Sequence, residues 1–513
     1  MTADGRRTED DLRNSGSTRR AFLKAVSLGS FGIATRRQSP SLFRSPSDSY
    51  DFRAIREAIL TAIGSHKATG VAVAVAHHGR IVWEEGFGWA NRGVGTKVSE
   101  HTPFCLASIT KPFTTTTLMT LVAAGKVSLN DSANKYLGSR SGLKGNAEGA
   151  TIRLLGAHAA GLPSMFEMFP STSDRQSSAA LLENYGILAY LPNEVYEYSN
   201  IGFAALGAIA SSVSGLDFGA LLTRQVLRPL GLHDSFFDTD KTRLRNGAVL
   251  YDELERPIPE YFTATPPSGE LYASVHDLTR FVMFNLKNRL PDQVPILPDH
   301  LIDELHKPVF QGPSGATTFG WFRGQTKSCL PVIVKDGGQP GVSTMMYMVP
   351  HENLACVALA NRSDNGDFIQ GLVDQMAGAI VPNWTSPNTS VALPMVDFPG
   401  ETVYSGKWSG KLRGGGIEMT VSLEIAPSGS ATVYLGDKGR PLQITNLRLQ
   451  GSALVGKSLG TIESADAIRN HATSLSLKLQ LRDSKLWGRI LASATGPGVL
   501  ATLPYVVELG RAK

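Results

Sequence analysis

The chain has 513 residues, of which 42% are hydrophobic and 19% charged, so it is long enough for more than one globular part. Its formal net charge of +5 comes from Lys and Arg scattered along the chain, which argues against a nucleic-acid-binding protein. The three cysteines form no disulfide framework, no H-E-x-x-H or paired C-x-x-C motif occurs, and we therefore predict no metal and no cofactor.

The first 48 residues contain a pattern that resembles a twin-arginine export signal. An arginine pair at positions 19 and 20 precedes a short, mildly apolar stretch from Ala25 to Ala34. That stretch is shorter than the roughly 20 apolar residues that a transmembrane helix needs. We therefore expect a signal and disordered leader over residues 1–48, a periplasmic or secreted protein, and no integral membrane span. No clear A-x-A cleavage site follows, so removal of the signal stays open.

Strand-like stretches lie towards both ends of the predicted main domain, residues 49–390. The first is residues 70–83, in which His77 and His78 precede a glycine in what we interpret as a hairpin turn with solvated histidines. The second is residues 332–350, and helical runs lie between the two. This order predicts an antiparallel sheet flanked by helices.

Ser108 and Lys111 lie three residues apart at the predicted start of a helix. Side chains at this spacing share one helix face, so Lys111 can reach the Ser108 hydroxyl. Pro112 is tolerated in a first helical turn, and Gly125 is a plausible C-terminal cap. A serine needs a base to remove its proton, and a desolvated lysine is partly neutral at working pH. The helix N-terminus would also favour an oxyanion formed beside Ser108.

Two further motifs follow in order, Y-S-N at residues 198–200 and K-D-G-G at residues 335–338. Each motif has a non-catalytic interpretation. S-x-x-K occurs by chance in many chains, Y-S-N is typical of a helix start with Asn200 as its cap, and K-D-G-G is typical of a strand that ends in a turn. The occurrence of all three in this order predicts an acyl-transfer site.

A rival nucleophile is Ser458, which lies in a G-x-S-x-G pattern at residues 456–460. In α/β-hydrolases that pattern requires a preceding strand, a following helix, and an acid and a histidine downstream. The sequence after Ser458 is polar and then strand-like, and His471 is the only later histidine. We therefore interpret Ser458 as a turn or strand residue.

In its three ordered motifs the chain resembles the penicillin-recognising serine hydrolases, which comprise class C β-lactamases, serine D,D-peptidases and related esterases and D-aminopeptidases. Residues 70–88, 154–163, 268–281 and 319–321 resemble further segments of that family. The resemblance implies an α+β fold. It consists of an α/β sandwich of the β-lactamase/transpeptidase type and an all-helical lobe, with Ser108 at their junction.

The same resemblance implies the catalytic roles. Ser108 is the acylated nucleophile, and Lys111 and Tyr198 share proton transfer, with the division between them left open. Tyr198 would need its phenolate form stabilised by Lys111 and Lys335. The backbone amides of Ser108 and Gly338 would form the oxyanion hole.

The implied substrate contacts come from the second and third motifs. Asn200 would hydrogen-bond a substrate amide, and Lys335 and Gly337 would line the pocket. Lys335 favours recognition of a substrate carboxylate. Asp336, which stands where relatives often have threonine, would weaken that attraction unless strand alternation turns it away from the cleft.

We therefore predict a serine hydrolase that acts on an amide or ester bond of a small-molecule substrate, with β-lactams favoured. A D,D-carboxypeptidase, a D-aminopeptidase and a carboxylesterase of the same fold are the alternatives. A non-catalytic protein that binds penicillin or cell-wall ligands is the alternative of another class.

The predicted C-terminal part, residues 391–513, follows a stretch rich in proline and polar residues near 382–400. Residues 419–425 and 474–481 alternate polar and apolar side chains, which is typical of strands. We expect a small antiparallel β-barrel here, and some relatives of the family carry lipocalin-like domains in this position. Its role is left open between a surface for homo-oligomer formation, a lid and a glycan-binding module.

Overall fold

The computed structural model describes residues 50–237, 247–400, 402–437, 439–496 and 499–512. The predicted export signal in residues 1–48 lies outside the described residues. Residues from Tyr50 onward form one compact unit. The predicted boundary between residues 390 and 391 stays a prediction.

Strands and helices alternate through the first three quarters of the described chain, and the last quarter is almost entirely strands. The strands are β1 (Gly70–His77), β2 (Arg80–Asn91), β3 (Thr96–Lys97), β4 (Phe104–Cys105), β5 (Phe166–Pro170), β6 (Phe236–Phe237), β7 (Tyr261–Thr263), β8 (Leu271–Ala273), β9 (Phe310–Gln311), β10 (Ala316–Thr317), β11 (Phe322–Gln325), β12 (Pro331–Gln339), β13 (Val342–Val349), β14 (Leu354–Ala360), β15 (Met395–Asp397), β16 (Gly406–Gly414), β17 (Ile417–Ile425), β18 (Ala431–Leu435), β19 (Leu442–Gln450), β20 (Ala453–Leu459), β21 (Ser474–Arg482), β22 (Lys485–Gly496) and β23 (Val499–Arg511). The helices are α1 (Arg53–Gly64), α2 (Thr110–Ala123), α3 (Ile152–Gly156), α4 (Ser178–Tyr185), α5 (Asn200–Ser214), α6 (Phe218–Leu222), α7 (Val275–Asn285), α8 (Asp299–His306), α9 (Gly366–Gly378) and α10 (Ala465–Arg469).

The first large sheet has nine antiparallel strands in the order β3-β2-β1-β14-β13-β12-β11-β10-β9. Every residue of β1 is buried, which explains why residues 70–76 are apolar without interruption. His77, the last residue of β1, is buried too, so the interpretation of His77 as a solvated turn residue was wrong, whereas His78 is exposed. Val71, Val73 and Val75 face the layer that contains α1 and α9. The alanines between them face the opposite layer, which contains α2, α5 and α7. The sheet is therefore covered by helices on both faces, which confirms the predicted sandwich.

The second sheet contains a closed barrel of eight antiparallel strands, β16 to β23, in which β16 pairs with β23. Side chains along these strands alternate between a buried interior and a more exposed outer face, as in β17, where Val421, Leu423 and Ile425 are buried. The predicted C-terminal barrel is confirmed. Its likeness to lipocalins stays a prediction.

Main-chain pairing joins the barrel to the rest of the unit. β23 pairs with β5 through Ala501 and Glu167, and β5 pairs in turn with β7. β15, which lies in the proline-rich connection, pairs with β19. β5, which precedes α5 in the chain, and β7, which follows it, thus belong to the same hydrogen-bonded sheet as the barrel strands.

No single helix among the described residues is long and apolar enough to cross a membrane. A helix pair, Asn200–Ser214 and Phe218–Leu227, reaches that length and composition only when joined, and it is bent by 76°.

The barrel strand β20 offers a matched pair of leucines for a stability test. Leu454 is fully buried in the barrel interior, whereas Leu459 is 81% exposed. Leu454→Ala should lower the free energy of unfolding by about 2–5 kcal/mol because it leaves a cavity. Leu459→Ala should change it by less than about 0.5 kcal/mol. Urea unfolding followed by far-UV circular dichroism measures both, and equal effects would contradict this assignment of the barrel interior.

Candidate active site

Ser108 lies in a single 3₁₀ turn, Ala107–Ile109, that leads directly into α2. Ala107 has a φ of +45°, a left-handed conformation that is uncommon outside glycine. Gly125 follows the helix with a φ of +66° and allows the chain to leave it. Ser108 thus lies just before the N-terminus of α2, as predicted, whereas the C-cap is Ala124 and Gly125 is the residue after it.

α2 is buried on nearly all sides although its first half is rich in threonine. Several of the threonine hydroxyls donate to carbonyl oxygens: Thr114 Oγ1 donates to Pro267 O (2.6 Å), and Thr117 Oγ1 donates to Phe113 O (2.8 Å). Thr116 Oγ1, in contrast, has no partner among the described residues. On the apolar side, the ring of Phe113 stacks on Phe281 of α7 at 3.7 Å. These contacts fix the helix that carries Ser108 and Lys111.

Lys111 is fully buried and reaches two oxygen atoms. Its Nζ lies 3.0 Å from Ser108 Oγ and 3.0 Å from the carbonyl oxygen of Ser268. Burial lowers the pKa of Lys111 well below its ordinary value, and the nearby cation Lys335 lowers it further. The side chain beside the nucleophile is therefore poised to be a neutral amine.

Tyr198 is the second group on the nucleophile, and its hydroxyl donates to Ser108 Oγ at 2.8 Å. Its ring lies near the amino groups of two lysines, with Lys111 Nζ 4.8 Å and Lys335 Nζ 5.7 Å from the ring centroid. Burial raises the pKa of Tyr198 strongly, and Asp336 raises it further. The surroundings thus favour the neutral phenol rather than the phenolate form expected from sequence.

The chain around Tyr198 is held by His158, a buried residue with a φ of +57°. The His158 ring stacks on the Tyr198 ring at 4.2 Å, and His158 Nδ1 accepts a hydrogen bond from the Ser199 backbone N–H (3.0 Å). Burial lowers the pKa of His158 well below its ordinary value, which keeps this ring nitrogen free to accept. A hydrogen-bonded structural role for His158 accords with these contacts.

The cap of α5 differs from the sequence-based interpretation. Ser199 is the N-cap, and its hydroxyl oxygen accepts from the Gly202 N–H. Asn200 is the first helical residue, so the interpretation of Asn200 as the cap was wrong. The reason is that Ser199 has the extended backbone that a cap requires, whereas Asn200 already lies inside the helix.

Asn200 is buried and has a free acceptor. Its Nδ2 donates to the Met165 carbonyl oxygen at 2.7 Å. Its Oδ1 has no hydrogen-bond partner among the described residues. That oxygen is itself buried, and among the described residues the Asn200 side chain makes no hydrogen bond to Ser108, Lys111 or Tyr198. The predicted contact of Asn200 with a substrate amide stays a prediction.

Lys335 and Asp336 alternate on β12, so that Lys335 is buried and Asp336 is 58% exposed. Alternation does not separate their charges, because Lys335 Nζ donates to Asp336 Oδ1 at 3.2 Å and to its backbone oxygen at 3.0 Å. Lys335 lowers the pKa of the Asp336 carboxyl. The cation of the third motif thus has an anionic partner of its own.

Gly337 lies against the backbone of the nucleophile. A Cβ at this position would lie 2.2 Å from Leu106 O and 3.1 Å from Ser108 N, so only glycine fits. β11 pairs with β12 only as far as Val334, and residues 335–339 pair only with β13. The edge of β12 is therefore not paired with β11 over residues 335–339, and a part for the Gly338 amide in an oxyanion hole stays a prediction.

The structure brings Ser108, Lys111 and Tyr198 into one hydrogen-bonded cluster, although they are up to 90 residues apart. Lys335 and Gly337 border that cluster. The sequence analysis missed the carbonyl of Ser268, which holds Lys111. Residues 268–281 resembled a family segment, but a backbone oxygen leaves no readable side-chain signal.

Ser458 lies in the barrel, within β20, and no helix follows that strand directly. It is 6% exposed, and its hydroxyl donates to the Gln443 carbonyl oxygen at 2.8 Å. It has no strand-to-helix elbow, and the interpretation as a strand serine is confirmed.

A cavity of about 460 Å³ opens beside Tyr198 and Asp336. The remaining lining residues are Tyr196, Phe322, Val334, Met345, Tyr347, Gln370, Pro387, Thr389, Ser390, Val391 and Ala392. Within the part of the chain that the structure describes, no lysine or arginine lines this cavity. Its wall combines aromatic and apolar side chains with the polar side chains of Gln370, Thr389 and Ser390 and one carboxylate.

Comparison with known proteins places this geometry in a family. The family described as beta-lactamase matches residues 53–377. Protein flp of Staphylococcus aureus strain MRSA252 is 25% identical over 322 residues, which cover 61% of this chain and 63% of that protein. The chain thus spans somewhat less than two thirds of the length of this relative.

Two solved structures share the fold. A class C beta-lactamase superposes with a TM-score of 0.56 at 19% identity and covers 65% of this chain and 97% of its own. A crystal structure of SurE with D-Leu gives a TM-score of 0.61 at 19% identity and covers 88% of this chain and 99% of its own. The match over residues 53–377, with the Ser-Lys-Tyr cluster inside it, shows that the chain belongs to the β-lactamase family.

Proposed function

We propose that this chain is a serine hydrolase that forms an acyl-enzyme on Ser108 and then releases the acyl group to water. One observation carries the proposal. Ser108 Oγ lies within hydrogen-bond distance of both Lys111 Nζ (3.0 Å) and Tyr198 OH (2.8 Å), which are the two groups that proton transfer requires. The other residues of the site fix this contact or border it.

Lys111 is the general base of the proposed reaction. As a neutral amine it takes the proton of Ser108 Oγ while that oxygen attacks the substrate carbonyl carbon. Tyr198, as a neutral phenol, donates its proton to the leaving group, and the Lys111 ammonium returns a proton to the phenol oxygen. The opposite directions of the two pKa shifts support this division, because an acid and a base need environments that push their pKa values apart.

The substrate class follows from the charges at the mouth of the site. The Asp336 carboxylate already accepts a hydrogen bond from Lys335, and no lysine or arginine lines the adjoining cavity within the described residues. A substrate carboxylate placed there would face the Asp336 carboxylate. The geometry therefore favours acyl donors without a carboxylate beside the scissile bond, such as uncharged esters or amides.

β-Lactam hydrolysis is the second candidate. It is supported by the class C beta-lactamase that shares the fold and by Lys335, a buried cation at the position of the third motif. The Asp336 side chain is partly solvated, so its hold on Lys335 is weakened by solvent. A β-lactam carboxylate would have to displace it.

Ser108→Ala should reduce hydrolysis of a short-chain nitrophenyl ester by about 10³-fold or more, because the nucleophile is gone. It should also abolish the acyl adduct seen by intact-protein mass spectrometry. Ser458→Ala is the control and should keep full activity. Unchanged hydrolysis in Ser108→Ala would disprove the proposal, and a large loss in Ser458→Ala would restore the rival nucleophile.

The pH dependence of acylation tests the base. Only neutral Lys111 accepts a proton, so the rate should rise with pH through the lowered pKa of Lys111 and then level off. Lys335→Met removes a cation that lowers this pKa, so the rising limb should move to higher pH. Asp336→Asn removes an anion that raises it, so the limb should move to lower pH.

The measurement is the single-turnover acylation rate between pH 4 and 10, roughly the range set by ordinary carboxyl and lysine pKa values. Asp303→Asn, which removes an exposed carboxylate paired with Lys287, is the matched control and should leave the limb in place. Shifts of the same sign in both site variants would contradict Lys111 as the base.

Substrate charge selection is tested by Asp336→Asn. Loss of this carboxylate should raise kcat/KM for a carboxylate-bearing chromogenic cephalosporin relative to an uncharged nitrophenyl ester by about tenfold. Asp303→Asn should leave the ratio unchanged. A constant ratio in Asp336→Asn would show that this carboxylate does not select against anionic substrates.

A further inference from the structure

A buried carboxylate, that of Glu197, lies immediately before Tyr198 in the sequence. It contacts the barrel and not the nucleophile. Glu197 has a side chain that is only 7% exposed. Its Oε2 accepts from Lys478 Nζ at 3.0 Å, and its Oε1 accepts from Arg489 Nε at 2.9 Å. Both cations belong to the barrel, on β21 and β22, where they stand opposite each other in the strand register.

All three charged groups are largely withdrawn from solvent, with 10% of the Lys478 side chain and 13% of the Arg489 side chain exposed. Burial by itself raises the pKa of Glu197, but Arg489 and Lys478 outweigh it and lower the pKa below its ordinary value. The cluster is thus one anion held by two cations. Removing one cation takes the charged donor away from one buried oxygen of the Glu197 carboxylate, and so weakens the hold on the segment that carries this residue.

The short segment that carries Tyr198 is anchored on two sides. On the inner side, the Glu197 N–H donates to the His158 carbonyl oxygen (3.0 Å), and the Ser199 N–H donates to His158 Nδ1 (3.0 Å). On the outer side, the Glu197 carboxylate is tied to the two barrel cations. Tyr198 lies between these anchors, so its hydroxyl position depends on both.

A second connection between the barrel and the site runs through β5. Glu167 of β5 is 1% exposed and pairs with Ala501 of β23, and its Oε1 accepts from Asn470 Nδ2 at 2.6 Å. Two residues earlier, the Met165 carbonyl accepts from Asn200 Nδ2. The barrel therefore supports Tyr198 and Asn200 by separate contacts.

We propose that Lys478 and Arg489 are positioning residues for catalysis, which hold Tyr198 on Ser108 through the Glu197 carboxylate, so that the barrel completes the active site. The inference rests on the proposed acylation of Ser108. It assigns the barrel a part in that reaction instead of a separate binding function. Neither cation touches the reacting atoms, and each acts only through Glu197.

The test uses the full chain with four single substitutions: Lys478→Gln, Arg489→Gln, Arg489→Lys and the control Lys485→Gln. Lys485 lies on β22 like Arg489, but it pairs with Glu508 at the exposed barrel surface, so its loss should change nothing. Lys478→Gln and Arg489→Gln should lower kcat for the nitrophenyl ester about 10- to 100-fold with KM nearly unchanged, because Tyr198 is displaced while the pocket stays. Arg489→Lys keeps the charge and should recover most of the rate.

Thermal unfolding of each variant sets an assay temperature at which all variants are folded. If a glutamine variant is not folded at any usable temperature, the rate of Arg489→Lys, which retains all three charges, is compared with that of wild type instead. Rates equal to wild type in Lys478→Gln and Arg489→Gln would overturn the proposal. So would an Arg489→Lys variant as slow as Arg489→Gln, since the retained charge would then have no effect.

Failure of the proposed function gives a different result. If wild-type protein forms no Ser108 adduct with the ester, or if Ser108→Ala still turns it over, the acyl-enzyme reaction itself is wrong. If wild type acylates and the barrel variants acylate equally fast, only the positioning role is wrong.

Discussion

The site depends on a lysine buried without a carboxylate in contact. Placing the Lys111 amine in the core of the helical layer is costly while it carries a charge, and the protein lowers that cost by favouring the neutral form. The fold supplies the Ser268 carbonyl and the Ser108 hydroxyl as its hydrogen-bond partners. The same burial that makes the charged form of Lys111 unfavourable for stability is what would make it the base in the proposed reaction.

The charges around Lys111 are arranged to keep this balance. Lys335 lowers the Lys111 pKa, Asp336 opposes it, and His158 stays neutral because both lysines and burial disfavour its cation. Tyr198 is pushed the other way and remains a phenol. One buried cluster thus holds an amine and a phenol on the same oxygen in complementary protonation states. In the proposed function, the Lys335–Asp336 pair at its border is also what disfavours an anionic substrate.

The barrel contacts the segments of the chain that carry Tyr198 and Asn200. β5 joins β23 to the segment before α5, and the Glu197 carboxylate joins β21 and β22 to the residue before Tyr198. The sequence left open whether the C-terminal part is a lid, a partner surface or a binding module. These contacts support a further role, which is to hold the segment that carries Tyr198. For the proposed support of Tyr198, the barrel needs only to keep these contacts with the rest of the chain.

The sequence by itself determined the local features. The strand pair after Gly70, the helix that starts just after Ser108 and ends just before Gly125, and the alternating strands of the barrel are each set by neighbouring residues, through periodicity, turn residues and caps. The three ordered motifs also identified Ser108, Lys111 and Tyr198 together.

Only the tertiary structure decided the protonation states, the pairing of Asp336 with Lys335, and the contacts of Ser268 and Glu197. Those properties depend on burial and on charges brought together from distant positions. Glu197 is separated from Lys478 by 281 residues, and no local pattern records which partner a buried charge will find.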